Sequence, residues 1–287
     1  DWWLSGEAPQ IINVYLDGFG PFGDCYQMDS ENHGPYGYAL IHELIPFIEK
    51  QFRNTQSPQT RFVSGCSTGG WVSLALQLFY PDHFNGAVSY APDPLSFTDF
   101  ITVDLYNDKN MYVSNCGYEN ALLRTVYGHT TLTWKDVINY EKIFSAENLF
   151  VTSGEGICGM NALLSPRGKD GLPVPVFDQE TGKINQEAVR YWRKLDLLEY
   201  VKTNWETLGP KINGKIYIQV SDQDDAFLNY GVRRLDEFIK SAENPKSDIE
   251  IEYVVMKRHC EGSGQTDRIK RTYRRLLEIK NNMDEGK

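Results

Sequence analysis

Residues 61–79 read RFVSGCSTGGWVSLALQLF, and the change of period inside this stretch decides the fold. RFVSG (61–65) is a short apolar run of the kind that forms a strand. GGWVSLALQLF (69–79) repeats its apolar residues at helical spacing and stops before Pro81. Between them, Gly65-Cys66-Ser67-Thr68-Gly69 has the form GxSxG, the sharp strand-to-helix turn that exposes a serine hydroxyl at the top of a sheet. A serine in that turn has strained backbone geometry. The spacing therefore calls for Gly65 and Gly69, whose lack of bulk lets strand and helix approach.

The same alternation extends both ways along the chain. IINVYLD (11–17) reads as a buried parallel strand, and GYALIHELIPFIEKQFR (37–53) as a helix with a kink at Pro46. GAVSYA (86–91), KIYIQV (215–220) and IEIEYVVM (249–256) read as further strands. Helices are expected over FLNYGVRRLDEFIKSA (227–242) and from about Gln265. This rhythm predicts one α/β domain spanning residues 1–287, a mostly parallel sheet flanked by helices and joined by right-handed crossovers. Residues 97–210 break the rhythm with two helical stretches and the turn-rich SPRGKDGLPVPVFDQETGK (165–183), and read as a lid-like insertion. Its Trp134, Trp192 and Trp205 suit either packing or substrate contact.

Composition narrows the classes of function. A formal charge of −10 and a pI near 5.1 argue against nucleic acid, whose binding rests on clustered Lys and Arg. The one basic concentration, Arg268, Lys270, Arg271, Arg274, Arg275 and Lys280, reads as a solvated helix face. No apolar run is long enough for a membrane-spanning helix. Five cysteines (Cys25, Cys66, Cys116, Cys158 and Cys260), odd in number and without CxxC, signal neither a disulfide framework nor a zinc site, and no cofactor or metal is expected. The chain opens on Asp1 with no signal-peptide pattern, so processing or truncation is expected. Compartment and oligomeric state are left open.

A hydroxyl becomes a useful nucleophile only when a base takes its proton. Of the histidines, His33, His42, His83 and His129 precede the last strands or fall in the insertion, whereas His259 follows the final strand, where the base of such a fold belongs. The acid should follow the strand before it. Asp222, Asp224 and Asp225 all stand there, and spacing alone leaves the choice open, with turn solvation the expected role of those not used. Thr68, next after the nucleophile, supplies one backbone N–H to an oxyanion hole. A second donor is not evident.

With these residues placed, the chain resembles the putative esterase family of α/β-hydrolases, which takes in esterase D-like, enterochelin-esterase-like and feruloyl-esterase-like enzymes and the mycolyltransferases. The similarity is strongest to a subgroup of large bacterial members. It runs through SENHGPYGYALIHELIPFIEKQFR, GCSTGGWVSLALQLFYPDHFNGAVSYAPDP and NWETLGPKINGKIYIQVSDQDDAFLN. The subgroup's Gly-Asp-x-Asp before aromatic-Leu-Asn maps onto Ser221-Asp222-Gln223-Asp224 ahead of Phe227-Leu228-Asn229. The resemblance thereby implies Asp224 as the acid, with Asp225 the alternative because Ser221 replaces the usual glycine. The family's His-Cys pair maps onto His259-Cys260. IINVYLDGFG is similar to the strand after the oxyanion-loop strand, which implies that N-terminal strands are missing and leave a gap inside the sheet; the rival assignment makes Asp17-Gly18-Phe19-Gly20 the oxyanion loop.

What the resemblance implies is a serine esterase acting on a small-molecule or carbohydrate-linked ester, with Ser67, Asp224 and His259 as nucleophile, acid and base. An acyltransferase using the same triad, or an inactive α/β-hydrolase-fold binding protein, is the alternative.

Overall fold

The computed structural model describes residues 2–8, 10–261 and 264–284. The chain starts with two short antiparallel ladders, β1 (Phe19–Gly20) with β2 (Gly23–Asp24) and β3 (Asp29–Ser30) with β4 (Gly34–Pro35). A helical segment follows in three parts: α1 (Tyr36–Ala39), a π-helical turn (Leu40–Leu44) and α2 (Ile45–Gln51). The π turn sits where the sequence expects a kink. Pro46 has no N–H to give the carbonyl four residues back, and just before it Ile45 N–H bonds Leu40 O, five residues back.

The main sheet is built from β5 (Val63–Cys66), β6 (Ala87–Tyr90), β9 (Ile216–Ser221) and β10 (Glu250–Val254). It is wholly parallel, in the spatial order β10-β9-β6-β5. Side chains alternate between its faces. Ala87, Ile216, Ile218 and Val220 join the large apolar core. Against that core lie α3 (Thr68–Phe79), over β5 and β6, and α8 (Asn229–Ser241), against β9. Because α3 is also covered by α7 (Leu197–Ile212), it is buried almost all round, as its run of Trp71, Leu74, Ala75, Leu76 and Leu78 requires. On the other face, Val88, Tyr90 and Tyr217 form a smaller cluster. There α9 (Gln265–Asp284) sets Arg271 over the Tyr217 ring at 3.7 Å and Arg268 near Tyr90. The expected solvated basic face is thus partly a packing surface, since the alkyl and guanidinium planes of arginine cover aromatic rings well. The side chains of Arg275 and Lys280 lie outside the described residues.

IINVYLD is not a strand. Residues 12–17 are exposed and irregular, and among the described residues no strand lies beside them to complete a ladder. The expected gap inside the sheet is therefore an open edge instead: β5, the strand leading to Ser67, has β6 on one side and no described strand on the other.

Between β6 and β9 the chain forms the antiparallel pair β7 (Ala121–Arg124) and β8 (Thr130–Thr133), then α4 (Trp134–Phe144), α5 (Gly156–Leu164), α6 (Gln186–Trp192) and α7. Four helices stand where two stretches are expected, because α5 and α6 are too short to show a clear period. The three tryptophans serve packing. Trp134 and Trp192 are fully buried around Phe97 and Phe100, with Phe100 stacked on Trp134 at 5.7 Å, and Trp205 is buried beside Phe238.

Candidate active site

The residues singled out in sequence sit past the C-terminal ends of the parallel strands, the end of an open α/β sheet where ligands bind. Ser67 follows β5 directly, Asp224 follows β9 and His259 follows β10.

Ser67 has φ 59° and ψ −124°, a left-handed geometry that costs a non-glycine residue of order 1–3 kcal/mol and persists only where its surroundings fix it. Those surroundings are explicit. Ser67 N–H donates to Tyr90 O at 3.0 Å, and its carbonyl accepts from Trp71 N–H at 3.0 Å and Asp93 N–H at 3.3 Å. A Cβ on Gly65 would stand 2.3 Å from the Gly69 backbone, so strand and helix do touch there. Gly69 itself is different: a Cβ on it would meet nothing within 4 Å. The second crowded glycine is Gly70, whose Cβ would fall 2.4 Å from Tyr90 O where α3 crosses β6. Thr68 is the first residue of α3, so its N–H belongs to the first-turn donors that lack an acceptor within the helix.

Each of the three carboxylates after β9 has a distinct task. Asp224 is fully buried; its Oδ1 accepts from Ala226 N–H at 3.0 Å and Leu228 N–H at 3.3 Å, and its Oδ2 lies 2.9 Å from His259 Nδ1. Asp225 faces the backbone of the same residue, accepting His259 N–H, and lies 3.5 Å from Arg258 Nε. Asp222 accepts Met256 N–H at 2.8 Å. Neither of the latter two merely solvates a turn; both hold the loop that carries His259. Ser221, which stands for the family's glycine, uses its hydroxyl in the same way, accepting Gln223 N–H and Lys257 N–H, both at 3.1 Å. Burial works to lower the His259 pKa, but the hydrogen bond and charge of Asp224, with Asp93 and Asp225, outweigh it and leave the value above 6.5.

Sequence reading missed four groups. Asp93, in the loop after β6, is buried and accepts from Ser67 Oγ at 3.3 Å, Thr68 Oγ1 at 3.0 Å and Tyr26 Oη at 2.8 Å. Burial raises its pKa, against the donors gathered on it. Ser67 thus points to Asp93, and among the described hydrogen bonds none joins it to His259. Arg124, from β7, braces the acid turn, donating to Asp224 O at 3.1 Å and lying over the Phe227 ring at 4.3 Å. Cys66 and Cys260 form a disulfide across 194 residues of sequence, contrary to the expectation from the odd cysteine count. The signal available for Asp93 was its place, a carboxylate just past a strand that ends level with the Ser67 turn.

The remaining histidines are elsewhere. His33 Nε2 lies 3.3 Å from Gly159 O, and His42 and His83 pack on Tyr38 and Tyr80. The Asp17–Gly20 segment turns on itself, with Phe19 N–H bonded to Asp17 Oδ1 and Cys25 N–H to Gly18 O, and β2 beyond it packs on α5. It makes no described hydrogen bond to the Ser67 turn.

Residues 8–149 match the family described as putative esterase; the matched stretch holds Ser67, Thr68 and Asp93, while Asp224 and His259 lie beyond it. No curated protein matches the chain. Among solved structures, similarity is found to a ferulic acid esterase (13% identity, TM-score 0.46, 97% of this chain and 73% of that one). It extends to the fluorophosphonate-binding serine hydrolase FphF of Staphylococcus aureus (13%, 0.45, 88% and 68%) and an S-formylglutathione hydrolase from Agrobacterium tumefaciens (15%, 0.39, 88% and 63%). At these identities and scores none of the three bears on residue roles or substrate.

Proposed function

We propose, from the match of residues 8–149 to the putative esterase family, that this chain hydrolyses carboxylic esters through an acyl-enzyme on Ser67. Asp224 fixes the His259 ring by Nδ1, which leaves Nε2 to take the Ser67 proton as Oγ attacks the acyl carbon. The hydroxyl turns from Asp93 to Nε2 for that step. Thr68 N–H then meets the tetrahedral oxyanion at the positive end of α3, and His259 returns the proton to the departing alcohol. Water, deprotonated by His259, attacks the acyl-enzyme and releases the acid.

The observation that supports this reading most is the His259–Asp224 contact of 2.9 Å in a loop whose next residue is bonded covalently to the one before Ser67. Aryl or sugar-linked esters are the substrate class we infer. A panel of p-nitrophenyl and hydroxycinnamoyl esters tests the reading: turnover by the wild-type chain that Ser67→Ala abolishes without loss of helical circular dichroism supports it. A folded wild-type chain that turns over none of the panel contradicts it.

A further inference from the structure

We propose that the Cys66–Cys260 disulfide is a positioning element for catalysis, holding His259 within reach of Ser67. The inference rests on the reading of those two residues as base and nucleophile. Cys66 ends β5 and immediately precedes Ser67; Cys260 immediately follows His259; their Cα atoms are 6.1 Å apart. The bond therefore stands one residue from each reacting side chain.

Its importance follows from where the strands lie. β5 and β10 are opposite edges of the sheet, three strand spacings or about 14 Å apart. The segment after β10 must cross back over the ends of β9 and β6 to bring His259 to the Ser67 turn. Near its start it is tied to β9 and the turn beyond by Met256 N–H to Asp222, Lys257 N–H to Ser221 and His259 N–H to Asp225. At its far end the tie is covalent. Beneath it lies a small cavity lined by Tyr90, Gln219, Val220, Val254 and Arg258. Met256 and Cys260 both have left-handed φ, 52° and 59°, a strained state that needs outside restraint. Because the resting Ser67 hydroxyl is bonded to Asp93, the disulfide rather than a hydroxyl–imidazole bond keeps the pair in register between turnovers.

Treatment with a water-soluble phosphine tests this: the phosphine is oxidised to its oxide with an oxygen from water, and the two sulfurs leave as thiols on Cys66 and Cys260. Iodoacetamide mapping shows that both have been freed, while exposed Cys116 is alkylated before and after and serves as the internal control. The expected result is a fall in kcat of about 10- to 100-fold with KM within about twofold, since a displacement near 1 Å costs that much. Reoxidation restores kcat. The double variant Cys66→Ala/Cys260→Ala shows the same low kcat and no response to phosphine.

Circular dichroism establishes that the reduced chain is folded; should it melt, the comparison is repeated in stabilising sulfate. A folded, reduced chain with unchanged kcat and an unchanged rate of fluorophosphonate labelling overturns the proposal. Absence of labelling in the oxidised chain would instead overturn the catalytic reading of Ser67, so the two failures are distinct.

Discussion

His259 is pulled in opposite directions, by burial toward the neutral form and by Asp224, Asp93 and Asp225 toward the charged one, and the charges win. A base must be neutral to accept a proton. The rate kcat/KM should therefore rise with pH along a limb centred above 6.5 and level off beyond it. Asp224→Asn should move that limb down and lower kcat by about 10⁴-fold, as loss of the orienting acid does. Asp225→Asn, at a carboxylate that accepts the His259 backbone N–H and pairs with Arg258, should stay within about tenfold of wild type, and the reverse ranking in a pH–rate series would make Asp225 the acid. Ser67 and His259 were nameable as candidates because chain order and strand ends limit the choices, whereas those limits left Asp222, Asp224 and Asp225 open and only the family resemblance pointed to Asp224. Asp93 was not nameable, because its partners Tyr26 and Thr68 lie 67 and 25 residues away and converge only once β6 is placed beside β5.

At the scale of elements, the Ser67 turn makes a prediction that the motif alone would get wrong. GxSxG treats Gly65 and Gly69 alike, yet only Gly65 is crowded. Gly65→Ala and Gly70→Ala should each cost about 3 kcal/mol or more by forcing the backbone apart. Gly69→Ala, in open space on the first turn of α3, should leave stability unchanged or raise it by up to about 1 kcal/mol in urea unfolding. The α4–α5 pair contains another buried carboxylate, Glu141, which accepts from Ile157 N–H, Cys158 N–H and Ser153 Oγ at the start of α5. Burial pushes its pKa up to about 7 despite those donors. The folded state then holds a proton that the unfolded chain has lost between about pH 4.5 and 7, so stability should fall as pH rises across that window, and Glu141→Gln should flatten the fall. Around Ser67, α3 was legible because it is long and strongly apolar, and the short strands β5 and β6 because the GxSxG turn and Pro92 mark their ends. IINVYLD was misread because its apolar content matches a strand, while strandhood depends on a neighbour that no local pattern reveals.

For the whole molecule, the βαβ order specified a parallel sheet, and the structure adds that the strand leading to Ser67 is an edge among the described strands and that a covalent link joins residues 194 apart. The odd cysteine count concealed that link, since pairing is decided by topology. Closing so long a loop constrains the unfolded chain by about 5 kcal/mol in the loop-entropy account, so reduction should lower the urea midpoint as well as slow turnover. Ser67 is proposed as the nucleophile of a carboxylesterase-type serine hydrolase, with His259 as its base. The most direct test is fluorophosphonate labelling, with the adduct located by peptide mass mapping in the wild-type chain and in His259→Ala. One adduct on Ser67, formed at least about 1000-fold more slowly in the variant, is the predicted result. An adduct on another residue, or labelling of Ser67 at the same rate without His259, would contradict it.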